Sequence, residues 1–253
     1  MNYTILYMDD SLLAVDKPAG LPTLPDGYQR DAPYLIGMLE AQFKRVWVVH
    51  RLDRYTSGVV VVARSAAAHR DLNTQFETRR VSKAYHALVA GNPTWDDLVV
   101  DLSLRADGDR KHRTVIDPAR GKAAVTNLHV LERFQQYTLI EAKPETGRTH
   151  QIRAHLAAQG LPIVADALYG KGQGIAGLDR LGLHARSLTI EHPMTREVMT
   201  FEAPYPADFA VAWKASRSST LNESPEMPVK AAAPPRPPAE VRGTSRVWIV
   251  CSR

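Results

Sequence analysis

Short hydrophobic segments separated by polar turns run along residues 4–204 of this chain. The run GVVVVAR at 58–64 is apolar at consecutive positions, which predicts a strand buried on both faces, and VWVVHRL at 46–52 predicts another. Further strands are predicted within 4–17, over 83–91, 123–134 and 137–144, and in a last hairpin over 187–193 and 197–204.

Helical spacing of apolar residues appears in three segments, at 32–43, 65–80 and 149–160. Asp31 and Thr149 are expected to cap the first and last of these helices, and Gly160 is expected to end the last. Because strands outnumber helices and their order is mixed, the pattern predicts an α+β fold with a largely antiparallel sheet.

Composition supports a globular protein, with 44% hydrophobic and 23% charged residues among 253. No apolar run approaches a membrane span, and the start lacks the features of a signal peptide, so we expect a cytoplasmic protein. The single cysteine, Cys251, argues against a disulfide framework or a cysteine metal cage. A net charge of +5 weakly favours a polyanionic partner.

Past Trp213 the sequence becomes rich in Pro, Ser and Ala and nearly lacks large apolar residues. Such a segment buries too little surface to offset its ordering entropy, so we predict a disordered tail over 214–253 after a folded domain over 1–213. The tail is interpreted as a solvated linker, with a non-specific RNA contact as the alternative.

The segment HRLDRYTSG at 50–58 concentrates charge directly before the buried strand. Asp53 lies between Arg51 and Arg54, with His50 near, and cations within a few ångströms would keep it ionised, as a nucleophile or base must be. The alternative is a salt-bridged surface turn.

A second polar segment, GRTHQIR at 147–153, begins a predicted helix. Arg148, His150 and Arg153 oppose the helix dipole there, so this placement requires an anion, either a phosphate or a carboxylate such as Asp53. In the strand SKAYHALVAG, Tyr85 is interpreted either as a core residue or as a ring that stacks on a base.

Together these motifs resemble the RluA-type pseudouridine synthases. HRLDRYTSG and GRTHQIRAHLAAQGLPIVADALYG carry the resemblance, and AVDKPAGLPT, SKAYHALVAG and LGLHARSLTIEHP match in the same order over residues 4 to 205. The resemblance implies an α+β pseudouridine synthase catalytic core over 1–213, with a mixed, mainly antiparallel sheet, packed helices and a central active-site cleft. It also implies an isomerase that detaches uracil from its ribose in RNA, turns it, and reattaches it through carbon 5.

The resemblance assigns roles to particular residues. Asp53 would be the catalytic aspartate, Tyr85 would stack on the uracil and assist proton removal from carbon 5, and Arg153 would form an ion pair that positions Asp53. Leu183 would pack in the pocket, and Arg51 would lie near the gap left by the flipped nucleotide. Two further predicted substrate-binding residues are Arg148 and His150.

An isomerisation consumes no water, redox equivalent or phosphate, so no cofactor and no metal are expected. The expected partner is a compact stem-loop of tRNA or rRNA, bound by a monomer without a separate N-terminal RNA-binding module. Three routes stay open for Asp53: attack on the ribose anomeric carbon, attack on uracil carbon 6, or action as a base to form a glycal.

Two other classes of protein are alternatives to a pseudouridine synthase. One is an inactive RNA-binding protein of the same fold, which would lack the Asp-Tyr-Arg set. The other is a metal-dependent nuclease, which would need further carboxylates near Asp53. The one candidate for such a carboxylate, Asp166, is interpreted as a structural loop acid.

Overall fold

The computed structural model describes residues 2–25 and 32–218. Its helices are α1 (Leu35–Phe43), α2 (Ala66–Glu77), α3 (Gln151–Ala158) and α4 (Ala207–Ser218). Its strands are β1 (Thr4–Met8), β2 (Leu12–Lys17), β3 (Trp47–Val48), β4 (Ser57–Ala63), β5 (Ser82–Ala90), β6 (Asp97–Asp101), β7 (Leu104–Arg105), β8 (Val115–Ile116), β9 (Val125–Arg133), β10 (Tyr137–Pro144), β11 (Leu183–Glu191) and β12 (Val198–Glu202).

Within the described residues, ten strands form one sheet in the order β1-β2-β4-β11-β5-β10-β9-β6. β12 pairs with β11, β3 pairs with β4, and β7 and β8 form a separate two-stranded sheet. β4 and β11 pair in parallel, while the neighbouring ladders are antiparallel. The mixed, mainly antiparallel sheet with packed helices confirms the predicted α+β fold.

The valine run of β4 lies near the middle of this sheet and is buried throughout. Val59 and Val61 face the cluster that contains α2, and Val60 and Val62 face the cluster that contains α1. Because successive side chains of a strand point to opposite faces, only a strand covered on both sides can be apolar at every position. The strand that follows the Asp53 segment is therefore anchored on both faces.

Gly58 sits where β4 meets β11 in parallel, opposite Ala185. Its φ is 111°, which L residues rarely adopt, and a Cβ there would overlap the Ala185 backbone. Glycine therefore lets the two strands approach directly after the Asp53 segment.

Lys17, at the end of β2, is the largest fully buried side chain of the described core. Its ammonium donates hydrogen bonds to the carbonyl oxygens of Pro18 (2.9 Å), Leu21 (2.8 Å) and Arg54 (3.3 Å). Burial lowers the pKa of Lys17 to about 7, and the nearby Asp53 carboxylate opposes that shift. The lysine thus joins the turn after β2 to the segment that carries Asp53.

Most predicted elements are present, but the buried strand predicted over 46–52 is only the short, half-buried β3, and two helix starts differ. Asp31 lies outside the described residues, and α1 begins at Leu35 after Tyr34, which makes no side-chain cap. The prediction that Thr149 caps α3 is wrong: His150 occupies the cap in a left-handed conformation, with φ 52°. Gly160, with φ 72°, follows the helix end as expected.

The strands β6, β7 and β8 and the helix α4 were not predicted. α4 continues through Ser218 and so crosses the predicted boundary at 213. The rest of the predicted tail, with Cys251, lies outside the described residues. Among the residues that the structure covers, none of the helices is long and apolar enough to cross a membrane.

Substituting Gly58 with alanine should lower the free energy of unfolding by more than about 3 kcal/mol, because left-handed strain and overlap with Ala185 add. Gly160→Ala is the matched control, since Gly160 has a positive φ but no atom near its missing Cβ, and it should cost about 1 kcal/mol. Denaturant unfolding of both variants measures their free energies of unfolding. Equal costs would contradict the close approach at Gly58.

The buried Lys17 should make stability depend on pH. Between about pH 7 and pH 10 the unfolded chain binds more protons at this position than the folded chain, so the free energy of unfolding should rise with pH, by up to ~1.4 kcal/mol per pH unit. Lys17→Met should remove this contribution from the slope, even though the variant is less stable overall. Denaturant unfolding at several pH values compares the slopes, and identical slopes would contradict the prediction.

Candidate active site

The segment that carries Asp53 is held by the turn after β2. Thr56 N donates to Asp53 O (3.1 Å), which closes a tight turn, and Gly20 N donates to Arg54 O (2.8 Å). The Thr23 hydroxyl donates to Leu52 O (2.8 Å). The AVDKPAGLPT motif therefore acts as a backbone support for the Asp53 turn.

His50 does not join Asp53, although it was expected to lie near it. Its Nε2 accepts the Val61 amide (3.0 Å), and its ring stacks on Phe76 with centroids 4.7 Å apart. Burial lowers the pKa of His50 to about 3, so the ring stays neutral. This histidine anchors the segment to β4 and α2 instead of supplying charge.

Two side chains from the start of α3 reach Asp53: the Arg153 guanidinium, and the His150 imidazole, which is neutral at neutral pH because burial lowers its pKa. His150 Nε2 and Arg153 Nη1 each lie 3.7 Å from Asp53 Oδ2. The left-handed cap residue turns the chain so that His150 and Arg153 face the same carboxylate. Of the two arginines near Asp53 in sequence, Arg51 is exposed, and Arg54 donates through Nε to Gly20 O (3.2 Å).

Arg153 has a second and closer carboxylate partner. Its Nε and Nη2 donate to Asp166 Oδ2 and Oδ1 at 2.8 and 2.9 Å, a bidentate pair that excludes solvent from Asp166. Asp166 also accepts the amides of Leu168 and Tyr169, and the Tyr169 ring lies 5.0 Å from the Arg153 guanidinium carbon. The carboxylates of Asp53 and Asp166 thus compensate the positive charge that Arg153 places near the positive end of the α3 dipole.

The ion pair between Arg153 and Asp166 determines the charge state of both side chains. Although burial acts to lower it, the hydrogen bonds and charge of Asp166 raise the pKa of Arg153. Although burial acts to raise it, the same contacts lower the pKa of Asp166. Both groups are therefore charged at neutral pH, and the guanidinium keeps a fixed orientation toward Asp53.

A cavity of about 150 Å³ opens beside Asp53. Every residue predicted for the site lines it: Arg51, Asp53, Tyr85, Arg148, His150, Arg153 and Leu183. Burial, followed by the negative charge of Asp53, raises the pKa of the Tyr85 phenol, so Tyr85 stays neutral. The cavity joins an ionised carboxylate, a neutral aromatic ring and an aliphatic wall, which suits a planar polar ring.

Two larger cavities flank this one and share Gly147 and Arg148 with it. The first, about 440 Å³, is lined by Arg79 and Lys83, and the second, about 370 Å³, is lined by Arg120 and Lys122. Positive side chains therefore continue from the central cavity in two directions, as an extended polyanion requires.

Sequence reasoning missed several supporting residues. Gln151 accepts the Thr146 hydroxyl and the Arg148 amide through Oε1, and donates to Val125 O through Nε2, which fixes the loop before α3. The buried Lys17 and the Tyr169 ring were also missed. The motifs AVDKPAGLPT and VADALYG contain these two residues, but their spacing says nothing about what they contact.

The carboxylates of this site face cations instead of one another. In the ranges 2–25 and 32–218, no group of three or more His, Cys, Asp or Glu side chains could hold a metal ion. Asp166, the candidate second carboxylate for a metal site, is bound to Arg153. The donor set therefore does not fit the carboxylate cluster of a metal-dependent nuclease.

Comparison with known proteins agrees with this geometry. The profile of the RNA pseudouridylate synthase family matches residues 11–158. The chain is 40% identical over 206 residues to the dual-specificity RNA pseudouridine synthase RluA of Escherichia coli (strain K12), covering 81% of this chain and 93% of that protein. It is 38% identical over 222 residues to the ribosomal large subunit pseudouridine synthase D of Pseudomonas aeruginosa, covering 81% and 69%.

A solved structure shows the same fold. The human RNA pseudouridylate synthase domain containing 4 aligns with a TM-score of 0.69 and 26% identity, over 85% of this chain and 93% of that one. Family profile, relatives and fold therefore agree with one another. The chain belongs to the RNA pseudouridylate synthase family, whose members are isomerases that convert uridine in RNA to pseudouridine.

Proposed function

We propose that this enzyme modifies a uridine in a compact stem-loop of tRNA or rRNA, with Asp53 as its catalytic carboxylate. The observation that carries the assignment is the convergence of Asp53, Tyr85 and Arg153 on one small cavity. The ribosomal large subunit in the name of the Pseudomonas relative supports rRNA as one of these substrate classes. Action as a monomer in the cytoplasm belongs to the same proposal.

The chemistry requires one bond to break and another to form. The bond between ribose carbon 1 and uracil nitrogen 1 breaks, the base turns, and carbon 1 bonds to carbon 5. Carbon 5 then loses its proton and nitrogen 1 gains one, so the product is an isomer of the substrate. Attack on the ribose, attack on carbon 6 and glycal formation each begin with an ionised carboxylate. Arg153, whose Nη1 lies 3.7 Å from Asp53 Oδ2, stabilises that charge without covering the oxygen, while the His150 ring at the same distance is neutral at neutral pH because burial lowers its pKa.

Tyr85 and Leu183 form the binding walls for the base in this proposal. The raised pKa of Tyr85 favours a neutral phenol, which suits stacking and hydrogen bonding better than direct removal of a proton. Leu183 is 4% exposed and held in β11, opposite Ala87 of β5, so it is a rigid apolar contact.

Extrusion of the uridine from the RNA stack costs a few kcal/mol. Arg51 is exposed on the rim of the cavity and is available to fill the vacated position. The flanking cavities would receive the phosphates on either side, with Arg148 shared between them. RNA binding and base extrusion are thereby joined in one continuous surface.

The inactive RNA-binding alternative is disfavoured by the same site. A protein that only bound RNA would need the flanking cations but not a buried Arg153 aimed at Asp53 by Asp166. That arrangement buries charge at a cost that simple RNA binding does not require.

Asp53→Asn should abolish isomerisation, with a loss of at least about 10³-fold, because the amide cannot act as nucleophile or base. The side chain is 31% exposed, so unfolding free energy and RNA affinity should change little. The measurement is pseudouridine mapping in RNA from cells lacking the gene, complemented with either form, together with turnover on the mapped RNA in vitro.

Asp10→Asn, in the exposed turn between β1 and β2, is the matched control and should retain full activity. Wild-type turnover should also persist in excess chelator once the RNA is folded. Retained isomerisation by the Asp53→Asn protein would refute the role of Asp53, and an absolute metal requirement for the chemical step would refute the metal-free reaction.

Charge removal in the flanking cavities should weaken RNA binding in a salt-dependent manner. Arg79→Gln and Lys122→Gln, at exposed positions in opposite cavities, should each reduce the slope of log Kd against log salt by about 0.7–0.9, the value for one phosphate contact. Filter binding or fluorescence anisotropy across a salt series measures these slopes.

Arg70→Gln provides the control for this series, because Arg70 is exposed on α2 and lines none of the three cavities. Its slope should equal that of the wild type. If all three variants had the same slope of log Kd against log salt, RNA would not follow the two flanking cavities.

A further inference from the structure

Tyr55 stands out from the other aromatic residues by its exposure. Its exposed fraction is 55%, and it is the only aromatic among the large hydrophobic side chains that are exposed in the part of the chain the structure describes. Large aromatic rings are usually at least half covered, because exposure forfeits the free energy gained by burial. An exposed ring on a rigid support is the arrangement that proteins use to stack on nucleobases.

The position of Tyr55 connects this ring to the active site. Tyr55 lies in the turn closed by the bond from Thr56 N to Asp53 O, between two residues that line the central cavity. The ends of such a turn are less than about 7 Å apart, so the Tyr55 backbone lies beside the cavity, while its exposed side chain is outside the set that lines it. A nucleotide next to one held at Asp53 would therefore pass beside it.

The backbone that carries Tyr55 is held in place. The preceding carbonyl, Arg54 O, accepts hydrogen bonds from Gly20 N (2.8 Å) and from the buried Lys17 ammonium (3.3 Å). Arg54 also places its guanidinium carbon 6.0 Å from the centre of the Tyr55 ring. Because its backbone is held, Tyr55 loses little conformational entropy when a base stacks on its ring. The Arg54 guanidinium beside the ring favours the electron-rich face of that base and its neighbouring phosphate.

We propose that Tyr55 is a stacking platform for the base adjacent to the target uridine, and thereby helps to select the sequence context of that uridine. This inference rests on the proposed function, because it takes the uridine to be held at Asp53. The ligand is a nucleobase of the same RNA strand, splayed out when its neighbour leaves the stack. Tyr55 acts in binding and takes no part in the chemical step.

The test uses stem-loop RNAs with the loop sequence of the mapped uridine and 2-aminopurine at its 5′ or its 3′ neighbour. Wild-type protein and Tyr55→Phe should quench the 2-aminopurine at one of these neighbours by stacking, and Tyr55→Ala should not. With unlabelled RNA, Tyr55→Ala should lower kcat/KM by about tenfold, mainly through KM, and Tyr55→Phe should restore it.

A second RNA separates stacking from a structural role. When the same neighbour is abasic, wild-type and Tyr55→Ala proteins should have equal kcat/KM, because no base is left to stack. Val198→Ala is the matched control: Val198 is 76% exposed and pairs with Glu191, at the opposite end of β11 from Leu183, so this variant should behave as wild type.

Three results would overturn the proposal: equal activity of Tyr55→Ala and wild type on the normal RNA, a defect that persists on the abasic RNA, or unchanged quenching by Tyr55→Ala. Failure of the proposed function is a different outcome. Quenching measured in the Asp53→Asn background reports on Tyr55 without turnover, and loss of isomerisation by Asp53→Asn tests the catalytic assignment without reference to Tyr55.

Discussion

A single buried guanidinium organises the candidate active site. Arg153 is 8% exposed, and its charge is stable there because Asp166 binds it through two short hydrogen bonds and the Tyr169 ring lies beside it. Removing one partner of such a pair typically costs 3–5 kcal/mol, because the remaining charge is left buried and uncompensated. The strong pair with Asp166 leaves only the longer contact, 3.7 Å, between Arg153 and the partly exposed Asp53 carboxylate.

The Asp53 turn depends on a second set of contacts, which are mostly backbone. Lys17, Gly20 and Thr23 bind the main chain of residues 52–54, and the buried β4 holds the other end of the segment. Main-chain contacts restrain a loop whatever side chains it carries, so the loop can expose Arg51 and Tyr55 without losing its shape. Rigid support of this kind is what holds a reactive group within a fraction of an ångström of its working position.

Recognition and chemistry use different surfaces of the same few segments. The central cavity of about 150 Å³ is well below the ~300–1,000 Å³ typical of sites for larger ligands, which suits one base at a time. Around it, Arg79, Lys83, Arg120 and Lys122 line cavities that open outward. Phosphate contacts provide affinity but little sequence information. The proposed function therefore assigns sequence selection to contacts with bases near the rim.

The sequence by itself determined the α+β class, the buried valine strand, the family and seven of the residues that line the central cavity, because periodicity and ordered motifs are local properties of the chain. It did not determine which charges pair. Arg51 and Arg54 lie within two residues of Asp53 in sequence, yet His150 and Arg153, about a hundred residues away, approach it across the sheet. The neutral state of His50, the burial of Lys17 and the Asp166–Arg153 pair likewise depend on which surfaces the fold brings together. Tertiary structure decided these points because pairing and desolvation depend on distance in space and on exclusion of water, which the order of residues does not specify.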